Sequence, residues 1–352
     1  MVEMKSWIKI NKKRAIGDGQ PVFIVAEMGQ NHNGSLRLAK RILLAAKKAG
    51  VDAVKLQTLT AEKLVSKKTP TYGELDPKLP KFQWLMYKQA ELSRADHVKL
   101  FAYAKKIGML LFSTPFDEEN VDFLDGLGVS MFKVASGDMT HHGLLRHIAG
   151  KKKPMIISTG MATIGEVKEA VKVVEKTGNK QIILLHCTSS YPCEPKHVNL
   201  RSVGTLMKTF PYPVGLSDHT MDEVAAVAVA AMGGSVIEKH FTCDKNIPGI
   251  DHWLSADESE MHSLIAKVRV VETMMGSANK EPNKAEQVTL RLARRSAVST
   301  QDIPKGTTIT REMISVRRPG TGIAPKDADR VVGKKTRVTI EAETPITWKM
   351  IK

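Results

Sequence analysis

Two histidines, His219 and His240, end short apolar runs at 214–217 and 235–241. On adjacent parallel strands their backbones would lie about 4.8 Å apart. Two imidazoles so placed can share one divalent ion and leave positions open for substrate and water. The alternative reading of the pair is hydrogen-bonded pocket histidines. Other apolar runs also turn polar at one end, at Glu27, at Lys55 and Gln57, at Ser113 and Thr114, and at Lys133 and Ser136. The pattern continues at Ser158 and Thr159, at His186, Thr188 and Ser189, at Ser217 and Asp218, and at Glu238 and Lys239.

Strand side chains alternate between two faces. One consistent inward set contains Glu27, Lys55, Gln57, Lys133, His219, Glu238 and His240. A buried Lys or Glu needs a partner or a ligand. Lys55 and Lys133, with Ser136, Ser158 and Ser217, put two cations and several hydroxyls around one mouth, which suits a phosphate or carboxylate. A Schiff base on Lys133 or Lys239 is the alternative chemistry. His32 falls in a loop, and His141, His142 and His147 read as surface residues. Cys187 and Cys243 read as packing or pocket-wall residues.

These groups need a scaffold that brings eight strand ends together. The runs 22–29, 52–57, 109–114, 130–136, 155–159, 181–188, 214–217 and 235–241 read as strands. Each precedes a helical pattern, in turn 35–49, 95–107, 118–127, 144–149, 164–176, 200–210, 223–232 and 258–275. Parallel strands need such crossovers. Eight βα units in about 275 residues predict an α/β fold, a closed (β/α)8 TIM barrel with its site at the C-terminal strand ends. An open doubly wound sheet is the runner-up, although no GxGxxG follows the first strand. Residues 7–16 and the following Gly17-Asp18-Gly19 read as an N-terminal hairpin capping the barrel bottom. Residues 58–93, with Pro70, Pro77, Pro80, Tyr72, Phe82, Trp84 and Tyr87, form a long insertion suited to a lid. The domains expected are a barrel over 1–280, a linker over 281–293 and a small β-rich domain over 294–352.

The 352 residues are 42% hydrophobic, enough for a large core and a second small domain. The net charge of +16 is spread over helix faces, and aromatics are only 5%. That argues for a solvated surface and against nucleic-acid binding. Three cysteines without a CxxC pair exclude a disulfide framework and point to a reducing cytoplasm. No apolar run approaches the roughly 20 residues of a membrane span, and the charged N-terminus has no secretory h-region.

At these same residues the sequence resembles the sialic acid synthase family. The matching motifs include Ala26-Glu27-Met28-Gly29-Gln30-Asn31-His32-Asn33-Gly34, Asp52-Ala53-Val54-Lys55-Leu56-Gln57 and Lys133-Val134-Ala135-Ser136-Gly137-Asp138. Ser113-Thr114-Pro115-Phe116-Asp117, Ser158-Thr159-Gly160-Met161 and His186-Cys187-Thr188-Ser189-Ser190-Tyr191-Pro192 also match. So do Gly215-Leu216-Ser217-Asp218-His219-Thr220, Ile237-Glu238-Lys239-His240-Phe241 and Gly249-Ile250-Asp251-His252. Arg294-Arg295-Ser296 and Arg317-Arg318-Pro319-Gly320-Thr321-Gly322 resemble the antifreeze-like SAF domain, a β-clip fold.

The resemblance implies an N-acetylneuraminate synthase: phosphoenolpyruvate condenses with open-chain N-acetylmannosamine, and water releases phosphate by C–O cleavage. Related nonulosonic acid synthases, of the legionaminic or pseudaminic acid type, use a diacetamido-trideoxy hexose instead. It implies a manganese or magnesium ion on His219 and His240, with Glu27 as a catalytic group holding the sugar. Lys55, Thr114, Lys133, Ser136, Ser158, Ser189 and Ser217 would hold phosphoenolpyruvate. Gln57, Tyr191, Glu238 and Asp251 would orient sugar hydroxyls. The family forms domain-swapped homodimers, so Arg318 would reach the partner's N-acetyl group. Ser189, where some relatives have Asn, Met221-Asp222-Glu223 and Ile250 depart from the pattern and touch the substrate loops.

Overall fold

The computed structural model describes residues 7–71 and 80–352. Tyr72 and Pro77 of the expected lid lie outside the described residues. The chain divides into two compact units, Met1–Gly276 and Ser277–Lys352.

The first unit opens with β1 (Trp7–Lys9) and β2 (Ala15–Gly17), an antiparallel pair. Then follow β3 (Phe23–Gly29), α1 (Leu36–Ala49), β4 (Ala53–Thr58), α2 (Ala61–Leu64), α3 (Gln83–Ala90) and α4 (Arg94–Ile107). Next come β5 (Leu110–Pro115), α5 (Glu118–Gly126), β6 (Phe132–Val134), α6 (His142–Gly150), β7 (Met155–Ser158) and α7 (Ile164–Glu175). The unit ends with β8 (Ile182–Cys187), α8 (Arg201–Thr209), β9 (Val214–Asp218), α9 (Val224–Ala231), β10 (Val236–His240) and α10 (Glu258–Met275). Strands β3 to β10 close into a parallel barrel in the order β10-β3-β4-β5-β6-β7-β8-β9.

Local chemistry sets the helix boundaries. Ser35 and Ser93 cap α1 and α4 by accepting backbone N–H bonds, and Gly50 and Gly108 end them in the left-handed conformation. Thr163 with Glu166, and Asp257 with Glu260, form capping boxes on α7 and α10. The barrel strands are buried over almost their whole length, as parallel strands covered by helices should be.

Alternation splits the core in two. Ile24, Val54, Ile157 and Leu184 face outward and pack against the helices. Phe23, Val25, Ala53, Phe112, Met131, Ile156, Ile183 and Val236 fill the barrel interior. Ile8, Ile10 and Ile16 of the hairpin join that interior cluster, so the hairpin plugs the barrel bottom as expected. Two differences from the sequence reading stand out. Strand β6 covers only Phe132–Val134, because Ser136 opens a short 3-10 turn. The insertion carries two helices, α2 and α3, that its irregular composition did not reveal.

The second unit contains α11 (Gln287–Ala293) and the antiparallel pair β11 (Ser296–Ser299) and β12 (Ile314–Arg317). Its own core gathers Ile303, Ile309, Ile323, Val331, Ile340 and Ile346. Among the described residues no helix is long and apolar enough to cross a membrane.

Candidate active site

The interior residues continue upward from apolar to polar, and the polar ones meet in a pocket of about 520 Å³ at the C-terminal strand ends. Register places them side by side: Glu27 pairs with His240 and with Lys55, Gln57 with Thr114, and Glu238 with Ser217.

The pocket floor is a network of buried charges. Lys55 Nζ lies 2.7 Å from Glu27 Oε2 and 3.8 Å from Glu238 Oε2, and donates to Thr114 Oγ1 at 3.1 Å. Lys133 Nζ lies 3.6 Å from Glu238 Oε1. Gln57 Nε2 donates to Glu27 Oε1 at 3.1 Å, and Ser217 Oγ donates to Glu238 Oε1 at 3.0 Å. Burial pushes the Glu27 carboxyl up against the pull of Lys55, and repulsion from Glu238 adds to the rise. Burial also lowers the Lys133 ammonium, despite Glu238. The same burial acts on Lys55, but Glu238 and Glu27 outweigh it and hold that ammonium above its usual value. Burial would raise Glu238 too, yet Lys133 and Lys55 pull it below the usual carboxylate range.

A second subsite lies beside this floor. Gly160 donates its N–H to Ser136 Oγ at 3.0 Å. A Cβ on Gly160 would lie 2.4 Å from Ser189 Oγ, 2.8 Å from Ser136 Oγ and 3.1 Å from Cys187 Sγ. Only glycine leaves room for these groups to converge. Ser158 Oγ, also in the pocket, is buried without a hydrogen-bond partner. Such a niche of hydroxyls next to two ammonium groups matches an oxyanion that carries several acceptors.

The imidazoles form a third group. The His219 and His240 rings lie 5.4 Å apart at 57°, and Tyr191 stacks on His219 at 4.2 Å. His219 Nδ1 donates to Thr188 O at 2.8 Å, so its neutral form presents a bare Nε2. Burial and the charge of His219 hold His240 well below the usual imidazole value. Asp251 Oδ2 approaches His240 Nδ1 at 3.5 Å, and burial, with Glu27, pushes its carboxyl up to about 7. Among the described residues no three His, Cys, Asp or Glu side chains converge in ligand geometry. Two imidazole nitrogens are the donors this pair could offer an ion, which would have to fill its remaining positions with substrate and water oxygens.

The structure gathers fourteen of the fifteen residues singled out from sequence into one barrel unit, with Asp251 reaching His240 from the loop after β10. Arg318 belongs to the second unit, where it is exposed after β12. Lys239 faces away from the pocket, in a buried ion pair with Asp218 at 2.9 Å, and so cannot form the Schiff base. His32 is buried outside the pocket, with Nδ1 accepting the Gly34 N–H. Cys187 lines the pocket as expected; burial opposes its ionisation, but His219 brings its thiol down to about 7.

Sequence reasoning missed Leu64, Val65, Gln83, Phe116, Asp138 and Met161, all on the pocket wall. They lie on loops or on the inserted helices, where no strand alternation signals direction. Asp138 gives a direct test. Burial raises its carboxyl to about 6, against the smaller opposing pulls of His141 and Lys133. The folded protein thus holds this proton more tightly than the unfolded chain, and stability falls as pH rises from about 4 to about 6. Asp138→Asn is expected to stabilise the fold at pH 8 by on the order of 2 kcal/mol. The gain should vanish near pH 4, which paired denaturant melts at the two pH values will check.

Comparison with known proteins places the chain in a family. The model of the NeuB family matches residues 42–280, and that of the SAF domain matches residues 294–352. The N,N'-diacetyllegionaminic acid synthase of Legionella pneumophila is 42% identical, over 97% of this chain and 98% of the relative. Human N-acetylneuraminate-9-phosphate synthase is 35% identical, over 96% and 95%. The crystal structure of the sialic acid synthetase of Leptospira borgpetersenii, solved with citrate, superposes with a TM-score of 0.75 at 32% identity, covering 82% of this chain and 97% of the other. The chain belongs to the NeuB family, whose members here are synthases of sialic and related nonulosonic acids, and it carries a SAF domain after its barrel.

Proposed function

We propose that the protein condenses phosphoenolpyruvate with the aldehyde of an open-chain acetamido sugar to give a nonulosonic acid and phosphate. A C–C bond forms between the methylene carbon of phosphoenolpyruvate and the aldehyde carbon at the expense of the enol C=C bond, and the aldehyde oxygen takes up a proton. Water adds, with loss of a proton, to the carbon that bears the phosphate ester, and that carbon's C–O bond to phosphate then breaks to leave the keto acid and phosphate. The observation that carries this reading is the two-lysine floor and hydroxyl niche beside a pair of imidazoles on adjacent strands.

Each group has a part that follows from its chemistry. Lys55, Lys133, Thr114 and Ser217 hold the anion at the floor, and Ser136, Ser158 and Ser189 take its phosphate oxygens. A manganese or magnesium ion held by His219 and His240 would polarise the aldehyde oxygen as a Lewis acid. The charge count favours such an ion: Glu238, and Glu27 when ionised, offset Lys55 and Lys133, so added positive charge would help hold an anionic substrate. Glu27, with its raised carboxyl, holds or moves a proton near the sugar. Gln57, Tyr191, Glu238 and Asp251 orient the sugar.

Two acceptors fit this chemistry. N-acetylmannosamine would give N-acetylneuraminate, and a diacetamido-trideoxy hexose would give an acid of the legionaminic type. The second gains weight from the 42% identity to the Legionella relative against 35% to the human one. Incubating the purified protein with phosphoenolpyruvate, manganese and each sugar, and scoring phosphate and product mass, tests the reading. Phosphate release abolished by a chelator supports it. Covalent trapping of pyruvate by borohydride, without chelator sensitivity, would replace it with a Schiff-base lyase on Lys133.

We place the protein in the cytoplasm as a homodimer whose Arg318 completes the partner's sugar site. Arg318→Ala is then expected to raise the KM for the sugar about tenfold or more, the loss of a charge-assisted hydrogen bond. The KM for phosphoenolpyruvate should not change, and steady-state kinetics separate the two.

A further inference from the structure

We infer that the buried Lys239–Asp218 pair is a positioning device: it clamps the residues on either side of His219 to β10 and so sets that imidazole against His240. This rests on the reading above, in which the two rings act together, and deepens it.

His219 needs such a device because the sheet does not hold it. The pairing of β9 with β10 runs through Leu216 with Ile237 and Ser217 with Glu238, and ends at Asp218 with Lys239. His219 is the next residue, past the end of β9, whereas His240 is still in β10 and pairs with Glu27 of β3. The His219 carbonyl accepts the Cys193 N–H at 2.8 Å, and its Nδ1 bonds Thr188 O at 2.8 Å. Both partners lie in the segment after β8, so these bonds leave the spacing to β10 unset. Beyond the ladder, the ties to β10 run through Lys239.

Lys239 sits between Glu238 and His240 and points out of the pocket, as alternation along the strand requires. Its Nζ donates to Asp218 Oδ2 at 2.9 Å and to Thr220 O at 2.6 Å. Asp218 Oδ1 accepts the Thr220 N–H at 2.9 Å and the Thr220 hydroxyl at 2.8 Å. The three residues close a ring of hydrogen bonds that uses both backbone polar groups of Thr220. His219, bracketed by Asp218 and Thr220, is thereby held from both sides of its Cα.

The chemistry of the pair suits positioning better than it suits stability. Both side chains are buried, and the cost of taking two charges from water offsets much of their attraction. Neutral side chains of similar shape would hold the strands about as well. What the ammonium adds is direction, because it must satisfy a carboxylate and a carbonyl at once. Direction matters at this place: misplacing a reacting group by about 1 Å costs on the order of a hundredfold in rate. Two rings 5.4 Å apart that are to grip one ion tolerate little more.

The test is the double variant Lys239→Met with Asp218→Asn. It nearly conserves volume and keeps the net charge of the pair at zero, so packing and long-range repulsion of a cation stay as they were. Its melting temperature should stay within a few degrees of wild type. Calorimetry is expected to show the manganese Kd raised about tenfold or more, and steady-state kinetics a kcat about a hundredfold lower at saturating manganese. Phosphoenolpyruvate binding without metal should stay within about twofold, because Lys55 and Lys133 stand on other strands. Asp218→Asn alone keeps the side-chain shape, removes the charge that Lys239 grips, and should weaken manganese about threefold or more. It decides the matter by the same two binding measurements where the double variant does not fold. Unchanged manganese affinity and kcat overturn the inference. So does a parallel fall in melting temperature, manganese binding and phosphoenolpyruvate binding, the mark of a merely structural pair. Wild-type protein that binds no manganese overturns the reading of the imidazole pair, and this inference with it, a result distinct from wild type and variant binding the ion equally well.

Discussion

Replacing His240 by alanine is expected to lower turnover at saturating substrates by about a thousandfold or more, with the barrel still folded. A thousandfold corresponds to about 4 kcal/mol of transition-state stabilisation. That is the scale of an interaction aimed at an oxygen that gains charge in the transition state. His240 is the cleaner of the two imidazoles to remove. Its nearest polar partner is the Asp251 carboxyl at 3.5 Å, so truncation leaves no strong bond broken. Removing His219 also strands the Thr188 carbonyl that its Nδ1 bonds at 2.8 Å, at a cost of roughly 1–3 kcal/mol. Lost activity in that variant would therefore mix chemistry with stability. The decisive pair of measurements is turnover and manganese retained per chain after gel filtration. Both should collapse in His240→Ala while circular dichroism stays unchanged. A variant keeping more than a tenth of wild-type turnover would show that the two rings are hydrogen-bonded pocket histidines and no more.

The legible part of this site is the part built on strands. Alternation separated Glu238 and His240, which enter the pocket, from Lys239 between them, which the structure buries against Asp218 on the outer face. It likewise set Lys55 and Gln57 on the same side as the interior residue Ala53. A period of two carries direction, so a residue's type and its parity were enough. Loops have no such period. Gly160 was visible in a motif, but nothing in its sequence neighbourhood shows that its missing side chain makes room for Ser136, Ser189 and Cys187. The α2–α3 insertion failed for a related reason. α2 has only four residues, too short to display an amphipathic repeat, and the prolines around α3 suggested irregular chain. His32, read from the sequence as a loop residue, serves its local turn, where its Nδ1 accepts the Gly34 N–H.

The floor's charge balance leads to the second large effect. Lys133→Met is expected to raise the KM for phosphoenolpyruvate at least a hundredfold, about 2.8 kcal/mol of binding. Glu27 and Glu238 face Lys55 and Lys133 at distances of 2.7 to 3.8 Å, two charges of each sign. Losing one ammonium leaves a net negative floor under a substrate that is itself a multiple anion. Lys133 is also the less satisfied of the two cations. It donates to the Val134 carbonyl at 3.2 Å and reaches Glu238 only at 3.6 Å, and burial depresses its ammonium. An ammonium held that poorly in the free protein has the most to gain from an anionic ligand. The same variant should therefore melt no lower than wild type without substrate, because a methionine avoids the desolvation cost of the charge. A second change separates charge from contact. Lys133→Met combined with Glu238→Gln restores neutrality but supplies no ammonium, and should recover about tenfold of the lost phosphoenolpyruvate affinity. Direct calorimetric binding of phosphoenolpyruvate, without the sugar that Glu238 is proposed to orient, reads this recovery. A double variant no better than the single one would show that Lys133 acts by contact alone. An unchanged KM in Lys133→Met would remove it from the anion site and leave Lys55 and the hydroxyl niche to hold the substrate.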